Sequence, residues 1–214
     1  MKKLVFTAAI AVLGFTSVNA QDEMTTIGGF EEGDVFVEGN FGFGSTNDKN
    51  TEFKTSSFDF NPKVGYLISD DLAVGVQLMV GSDKEETTVA GTTTETKDSN
   101  FGAGVFARYY FLELGKRFQT YGEFGVGFDS AKFDDGVDAT DDLKSNGLGA
   151  GLGLGMNYFV TENLAINFGL SDILSYRSDK LDVDGAEAVS SFNGNLNVFN
   201  NFFQTAQFGA TWKF

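Results

Sequence analysis

The segment "LGAGLGLGMNYFVTENLAINFGL" (Leu148–Leu170) contains two runs of alternating residues joined by a short polar stretch. The first run sets large apolar side chains against glycines and Asn157, and the second sets them against small or polar residues. The apolar positions are Leu148, Leu152, Leu154, Met156 and Tyr158, then Leu164, Ile166, Phe168 and Leu170. Because successive side chains of a β-strand point to opposite faces, this alternation predicts two strands that form a hairpin.

Six further runs of the same kind bring the number of predicted strands to eight. In chain order they are "DVFVEGNFGFG", "SFDFNPKVGYLI", "LAVGVQLMVG", "FGAGVFARYYF", "FQTYGEFGVGF" and, at the end of the chain, "FFQTAQFGATWKF". Three connections are short, around "SDD", "LELGKR" and "TEN", and four are long and hydrophilic. This layout is typical of a bacterial outer-membrane barrel. We therefore predict an all-β fold, an eight-stranded antiparallel up-and-down transmembrane β-barrel with short periplasmic turns and long extracellular loops.

The first of these turns resembles the turn of the opening segment. "GYLISDDLAVGVQL" (Gly65–Leu78) matches "NYFVTENLAINFGL" (Asn157–Leu170) in type, with Tyr66 at the position of Tyr158 and an acidic turn after each. Both stretches leave the apolar run at an aromatic residue, reverse in a polar turn and return at a leucine. We interpret them as two hairpins that cross the same end of the barrel, a reading that a duplicated half barrel would also satisfy.

The composition agrees with an all-β chain and limits the classes of partner. The chain has 27 glycines, 24 phenylalanines and one proline, which suits strands and tight turns. The formal net charge of −15 argues against nucleic acid and against anionic lipid head groups as ligands. Cysteine is absent from the sequence, so neither a disulfide framework nor lipid attachment at a cysteine is expected.

The N-terminus has the pattern of a secretory signal peptide. Lys2 and Lys3 precede an apolar stretch of about a dozen residues, which is too short to span a bilayer. Small residues at Val18 and Ala20 predict cleavage after Ala20. We expect residues 1–20 to be the signal peptide, 21–33 a periplasmic N-terminal segment and 34–214 the barrel, located in the outer membrane.

The apolar face is predicted to point outward, because the opposite face is rich in glycine and charged residues, as the lumen of a narrow barrel requires. The predicted lumen charges are Glu38, Asp59, Lys63, Arg108, Glu123 and Lys213. They either neutralise one another in a packed lumen or form an ion path, and the sequence leaves both readings open. Aromatic residues near the ends of the runs predict an interfacial belt. These residues are Tyr66, Tyr109, Tyr158 and Trp212.

The C-terminal "FGATWKF" carries a resemblance that covers the whole chain after the signal peptide. The chain resembles the outer-membrane β-barrel family that includes small OmpA-like and OmpX-like barrels, in particular those of Gram-negative Bacteroidota. The resemblance implies that the barrel-assembly machinery is a partner, which reads a terminal signal made of Phe208, Ala210, Trp212 and Phe214. Unlike full-length OmpA-like proteins, the chain is expected to have no periplasmic domain after Phe214.

Other motifs do not meet the requirements of the sites they resemble. "GAGVFA" (Gly102–Ala107) fits a dinucleotide pattern, but strand alternation continues after it where a helix is required. "KLDVDGAEAVSS" lacks carboxylates at the first and last positions of a calcium loop. The aspartates between Asp134 and Asp142 are expected to be a solvated loop. Because the chain has no histidine and no serine in a nucleophile elbow, we predict no catalytic residue, metal site or cofactor.

The sequence thus predicts a monomeric barrel with a structural, surface-display or adhesion role through acidic extracellular loops. The expected partners are outer-membrane lipid and an extracellular ligand that binds through the loops. The alternative is a narrow porin for ions or small solutes, and a soluble lipocalin-like carrier is the third reading. The alternation of the last run persists back to Phe192. Ten strands, or last strands that project beyond the membrane, are therefore open possibilities.

Overall fold

The computed structural model describes residues 28–89, 91–115, 117–136, 143–195 and 207–214. The predicted signal peptide and residues 21–27 lie outside this range. The described part of the chain contains nine strands. They are β1 (Val35–Asp48), β2 (Phe53–Ser69), β3 (Leu72–Val89), β4 (Thr92–Leu114), β5 (Phe118–Asp134), β6 (Leu143–Phe159), β7 (Leu164–Leu181), β8 (Val189–Gly194) and β9 (Gln207–Lys213). No helix that could span a membrane occurs in these residues.

Eight of the strands close into a ring. Each strand from β1 to β7 pairs antiparallel with the next, and β9 lies between β7 and β1. On one side of β9, Trp212 is opposite Leu164, and on the other it is opposite Val37. Closure leaves the ring without an unpaired edge, which is what a strand-built structure needs in hydrocarbon. The predicted eight-stranded antiparallel barrel is confirmed.

The ninth strand, β8, extends the barrel beyond the ring. Strand β7 pairs with β9 through Leu164–Gly169 and with β8 through Leu174–Asp179. The β6–β7 register shifts twice between these two parts of β7, at Leu152/Gly153 and Leu154/Gly155. Strands β7 and β8 thus extend past the ring, as the projecting arrangement predicts, and the sheet has more strands than the eight of the ring, as the other alternative predicts. The first residues of the predicted last run, Phe202 to Ala206, lie outside the described range.

Two of the four hydrophilic connections are mostly strand. The β1–β2 ladder continues to the pair Asp48–Phe53, and the β3–β4 ladder continues to Val89–Thr92. Strand β4 is 23 residues long, whereas about 9–11 residues cross a membrane. These connections therefore project as extended hairpins at the end opposite the short turns. We call the end with the short turns the periplasmic end, as predicted, and the opposite end the outer end.

The apolar faces of the strands point away from the ring. Val35, Val37 and Phe41 are exposed on β1, whereas the alternate residues Phe36 and Glu38 are fully buried. The same parity holds on the other ring strands, so that large exposed apolar side chains surround the barrel and most buried polar groups lie inside. We call this outer surface the apolar belt. A soluble carrier has the reverse arrangement, so that reading is wrong.

The only apolar core within the described residues fills the periplasmic half of the lumen. It consists of Phe30, Phe36, Leu67, Ala73, Phe106, Tyr110, Tyr121, Phe159 and Ala165. Three of its rings lie over glycines that are their cross-strand partners: Phe36 over Gly65, Phe106 over Gly75 and Tyr121 over Gly155. A Cβ atom at these glycines would overlap the rings. The glycine column therefore makes room for aromatic side chains inside a narrow barrel.

Candidate functional site

Arg108 is the centre of the lumen at the level of the core. Strand β4 turns its side chain inward, where it is fully buried. Its Nη1 donates to Glu38 Oε2 at 2.7 Å and its Nη2 donates to Glu38 Oε1 at 2.9 Å, a bidentate pair. Glu38, on β1, is also fully buried. Charges this far from water are stable only when they are paired and hydrogen-bonded, and the planar guanidinium meets that need.

A second acid and a second base complete this cluster. Arg108 Nε donates to Glu123 Oε2 at 2.8 Å, and its Nη2 lies 2.6 Å from the same oxygen. The other oxygen of Glu123 accepts a hydrogen bond from the Lys63 ammonium. Strands β1, β2, β4 and β5 thus meet across the lumen through two acids and two bases, whose formal charges cancel. We call these four residues the lumen ion cluster.

Neutral groups saturate the buried carboxylate of Glu38. Thr211 Oγ1 donates to Glu38 Oε2 at 3.1 Å, and Asn40 Nδ2 donates to Oε1 at 3.0 Å. Asn167 Nδ2 in turn donates to Thr211 Oγ1 at 3.1 Å. These contacts link β7 and β9 to the cluster, so that strands on all sides of the lumen contribute to it.

Aromatic rings enclose the guanidinium. The Cζ atom of Arg108 lies 4.0 Å from the centre of the Tyr121 ring, 5.3 Å from that of Phe36 and 5.6 Å from that of Phe106. A desolvated guanidinium over an aromatic face is stabilised by the quadrupole of the ring. The rings also exclude water from the ion pairs, which strengthens them.

The segment before β1 forms the floor of the lumen. The Phe30 ring packs within 5.0–5.3 Å of the rings of Phe36, Tyr110 and Phe159, and its amide donates to Gln119 Oε1 at 3.3 Å. Lys213 Nζ donates to the carbonyl oxygen of Gly29 at 2.8 Å. Residues 28–33 therefore lie across the periplasmic mouth and pack into it.

The outer half of the lumen is more open. A cavity of about 680 Å³ is bounded there by small and polar residues, among them Gly125, Gly127 and Gly149. Its main ion pair joins Arg177 on β7 to Asp129 on β5, with Nη1 to Oδ1 at 3.0 Å and Nη2 to Oδ2 at 2.7 Å. The Arg177 side chain is 46% exposed. Both residues border the cavity, but only Arg177 is half-exposed, because the Asp129 side chain is 9% exposed.

The structure brings together four of the six predicted lumen charges, Glu38, Lys63, Arg108 and Glu123. Lys213 faces the lumen at its periplasmic mouth, where it pairs with Asp34 at 3.1 Å. Asp59 lies four residues nearer the outer end than Lys63, and its charged neighbour is Asp83 rather than a base. Both predicted positions face the lumen, but neither belongs to the cluster.

Sequence reasoning missed Arg177 and Asp129 as lumen charges because both were assigned to hydrophilic loops. The signal was available, since the alternation of β5 and β7 continues into those segments. It also missed the hydrogen bonds of Thr211 and Asn40 to Glu38. Alternation placed them on the inner face, but their contacts depend on strands that are distant in sequence.

The predicted interfacial aromatics Tyr66, Tyr109 and Trp212 are exposed on the belt near its periplasmic edge. Tyr158 is half-buried on the same face, with its ring 4.6 Å from that of Phe118. The residues of the predicted assembly signal alternate outward along β9 and its end. Phe214 N donates to the carbonyl oxygen of Val35 at 2.9 Å, which joins the end of the described chain to β1. Their roles at the interface and in assembly stay predictions.

The side chains of the periplasmic half of the lumen pack against one another. The acids and bases of the lumen pair with one another in the lumen ion cluster and at Arg177–Asp129, and no group of metal-binding side chains was found among the described residues. This arrangement can hold the barrel shut at its periplasmic half and leave a hydrated vestibule at its outer half.

Comparison with known proteins agrees with this architecture. The family model described as "Outer membrane protein beta-barrel domain" matches residues 8–214. The chain belongs to this outer-membrane β-barrel family. The family indicates that the barrel lies in the outer membrane. A search of the curated proteins finds no match to this barrel.

Solved structures of outer membrane proteins match at low sequence identity. OprG from Pseudomonas aeruginosa is 16% identical with a TM-score of 0.53, and the match covers 88% of this barrel protein and 99% of OprG. The N-terminal β-barrel domain of Pseudomonas aeruginosa OprF is 15% identical with a TM-score of 0.41, covering 86% and 98%. A major outer membrane protein from Thermus thermophilus is 17% identical with a TM-score of 0.44, covering 86% and 100%. At such identities the likeness concerns the fold alone.

Proposed function

We propose that this protein is a closed outer-membrane barrel that acts through its outer surface, as a structural element of the membrane and as a display scaffold for acidic hairpins. In this role the barrel anchors and orients the hairpins, and the lumen transports nothing. The hairpins then serve for adhesion or for contact with an extracellular ligand.

The proposal rests on the complete burial of Arg108 and Glu38 in the lumen ion cluster. Arg108, Glu38 and Phe36 have no exposed surface, so the lumen is filled where they meet. The Phe30 ring adds a second layer towards the periplasm. Passage of a hydrated ion would require breaking a buried ion pair, and leaving one partner unpaired typically costs about 3–5 kcal/mol.

The outer ends of the strands support the display role because they carry many acidic residues. Their acids extend beyond the belt and suit a ligand or cell surface of positive charge. They include Glu52, Glu85, Glu95, Asp98, Asp134, Asp135, Asp182, Asp184 and Glu187. The aspartates at 138, 141 and 142 lie outside the described residues.

The proposal also includes the export and assembly of the barrel. Residues 1–20 are removed as a signal peptide during export, and the barrel-assembly machinery then reads Phe208, Ala210, Trp212 and Phe214 on β9. The outward alternation of these side chains at the seam between β9 and β1 supports this reading. The barrel works as a monomer.

Single-channel recording in planar bilayers tests the closed barrel. The refolded wild type is expected to give no conductance steps, because the cluster and Phe30 fill the lumen. The double variant Glu38→Ser with Arg108→Ser removes a whole charge pair and should give small, frequent steps. Steps from the wild type would contradict the proposal, and a silent double variant would show that other residues close the lumen.

The narrow porin is the second candidate, and the outer cavity of about 680 Å³ is the observation in its favour. In that case the vestibule collects solute and the floor moves aside. The same recordings separate the two functions, because a pore whose floor moves gives wild-type steps. The variant Phe30→Ala should then lengthen the open times, whereas in a closed barrel it leaves the trace silent while the ion cluster is intact.

A further inference from the structure

At the outer edge of the apolar belt, the type of outward-facing residue changes at every second position of each strand. We call the residues at one such height a tier. The last outward apolar residues of neighbouring strands face one another in four cross-strand pairs. These pairs are Phe43–Phe58, Val80–Phe101, Phe128–Leu148 and Tyr176–Phe192. All eight side chains are exposed, and together they mark the edge of the hydrocarbon.

Two residues further out, every outward position is serine or asparagine. The pairs of this tier are Ser45–Ser56, Ser82–Ser99, Ser130–Asn146 and Ser178–Ser190. In the last pair the hydroxyls bond to each other, with Ser190 Oγ donating to Ser178 Oγ at 3.1 Å. Eight strands thus present small hydrogen-bonding groups just above the belt.

Two residues beyond that tier, six successive strands from β2 to β7 present a lysine. These lysines are Lys54, Lys84, Lys97, Lys132, Lys144 and Lys180, with Asn47 at the same position on β1. They are six of the ten lysines that follow residue 20, in a chain whose net charge is −15. We call the two tiers together the Ser/Lys ring.

The residues of the Ser/Lys ring lie at a constant distance from the edge of the apolar belt. They are not directly opposite one another in every strand pair. Between β2 and β3 the edge steps by two residues, because Phe58 is opposite Ser82 rather than Val80. The lysines step with it, because Lys54 is opposite Glu86 rather than Lys84. The same step occurs between β4 and β5 and between β6 and β7. The constant offset indicates that the lysines are positioned relative to the membrane surface.

The ring contains two like-charged cross-strand pairs that cost the sheet stability, with acids such as Glu86 and Asp134 in the next tier. Lys84 is directly opposite Lys97, and Lys132 is directly opposite Lys144, and like charges in such pairs destabilise a ladder. Lys84 also contacts Glu86 at 2.9 Å and Glu95 at 2.8 Å, two acids one tier further out. The hydrogen bond to Glu95, followed by that to Glu86, raises the pKa of Lys84 above its ordinary value, so this lysine stays charged.

The periplasmic edge has the opposite charge. Its turns carry Asp70, Asp71 and Glu162, with Arg117 as the base among the described residues of these turns. Within the part of the chain that the structure describes, a ring of lysines occurs at only one of the two membrane surfaces. The asymmetry points to an anionic partner in the outer leaflet.

We propose that the Ser/Lys ring docks phosphorylated lipid head groups of the outer leaflet. Ammonium groups are strong donors to phosphate, and basic residues beside a membrane attract anionic lipid at about 1 kcal/mol each. Four residues beyond the belt span about 13 Å along a strand, or ~10 Å above the hydrocarbon for a strand tilted by about 40°. The flexible lysine stems bring the ammonium groups back to the head groups. The serine tier then bonds to ester or sugar oxygens below the phosphates.

Native mass spectrometry of the refolded protein tests this docking. The protein is released from mixed micelles that contain equal amounts of phosphatidic acid and phosphatidylcholine, and the bound lipids are compared. The wild type should retain phosphatidic acid preferentially. In the variant Lys97→Gln, Lys132→Gln, Lys144→Gln and Lys180→Gln, the preference should fall at least tenfold, because the attraction of about 1 kcal/mol per lysine corresponds to roughly fivefold each.

A control variant matches the change in net charge away from the ring. It replaces Thr88, Thr92, Thr93 and Thr94, at the tip of the β3–β4 hairpin, with glutamate, and it should keep the wild-type preference. Heat-modifiable migration on gels establishes that each variant is folded. Should the quadruple variant not refold, the double variants Lys97→Gln with Lys132→Gln and Lys144→Gln with Lys180→Gln should each lose several-fold.

Three outcomes would overturn the proposal. The quadruple variant could keep the wild-type preference, which would mean that the ring does not select lipid. The control variant could lose as much, which would attribute the preference to total charge. Inorganic phosphate could displace the lipid at equal concentration, which would make the ring a site for free anions rather than a lipid dock.

Discussion

In both halves of the lumen every second residue of a strand points inward. The inward side chains are large in the periplasmic half and small in the outer half. On β4 the inward residues run from Gly102 and Gly104 at the outer half to Phe106, Arg108 and Tyr110 at the periplasmic half. Strand β5 runs the other way and mirrors this order, with large inward residues first and Gly125 and Gly127 later. Large side chains therefore meet across the periplasmic half, and glycines face a cavity in the outer half.

The same type of ion pair has different surroundings in the two halves. Arg108 and Glu38 are without exposed surface, whereas the Arg177 side chain is 46% exposed beside Asp129. The outer pair borders the cavity, where water can solvate its partners if they separate, whereas Arg108 and Glu38 have no exposed surface. The comparison shows that the inward side-chain volumes decide whether a charge pair in a barrel is structural.

Removal of the inner arginine should be far more damaging than removal of the outer one. In Arg108→Ala the buried carboxylate of Glu38 loses its partner, which should lower the free energy of unfolding by about 3–5 kcal/mol. In Arg177→Ala the loss should be at most ~1 kcal/mol, because Arg177 is half-exposed and the buried Asp129 borders the open cavity, where water can replace its partner. Urea unfolding in lipid vesicles, followed by Trp212 fluorescence, measures both.

A double substitution distinguishes the loss of a charge partner from general misfolding. Glu38→Leu with Arg108→Met removes both charges, and replacing a whole buried pair with apolar groups is often neutral. The double variant should therefore recover most of the stability and refolded yield lost in Arg108→Ala. If Arg177→Ala proved as unstable as Arg108→Ala, the distinction between the two halves would be wrong.

Two inward glycines of β6, one under an aromatic ring and one beside the cavity, should respond differently to alanine. In Gly155→Ala the new methyl group meets the Tyr121 ring, and overpacking of this kind costs about 1–3 kcal/mol. Gly149, on the same face of β6, has no atom within 3.8 Å of an added Cβ, so Gly149→Ala should change stability by no more than ~0.5 kcal/mol. The same unfolding measurement applies, and equal losses would show that the outer half is as tightly packed as the inner half.

The smallest effect is expected at the tip of the β3–β4 hairpin. Gly91 lies in a two-residue turn outside the ring, has a positive φ of 82°, and contacts nothing near an added Cβ. A short epitope tag inserted there should leave barrel stability unchanged and bind antibody on intact cells. A tag beside Asn163, in a periplasmic turn, should bind antibody only after the outer membrane is opened. Labelling in the reverse order would invert the orientation of the barrel.

Alternation was sufficient to predict the ring, its strands and the two faces of each strand, because the period of two follows from the backbone alone. It also placed Glu38, Lys63, Arg108 and Glu123 on the inner face. It did not show that these four residues meet while Asp59 and Lys213 stay apart. Their meeting depends on the heights of four strands that are up to 85 residues apart in sequence, from Glu38 to Glu123.

Net charge was the least informative quantity. The value of −15 predicted that anionic lipid would be repelled, yet the lysines gather in one ring when the strands are placed at their register. The spacing of apolar residue, serine and lysine is visible on a single strand, as in Val80, Ser82 and Lys84. Only comparison of neighbouring strands shows that it recurs at one height.

A membrane barrel could be predicted from the chain alone, since each strand carries its own apolar and polar sides and a short segment suffices to specify them. Closure of the barrel by β9, the floor formed by residues 28–33 and the meeting of buried charges in the lumen became visible only in the folded protein. The physical reason is that a face is a local property of a strand. A contact across the lumen depends on the register of every ladder between its partners.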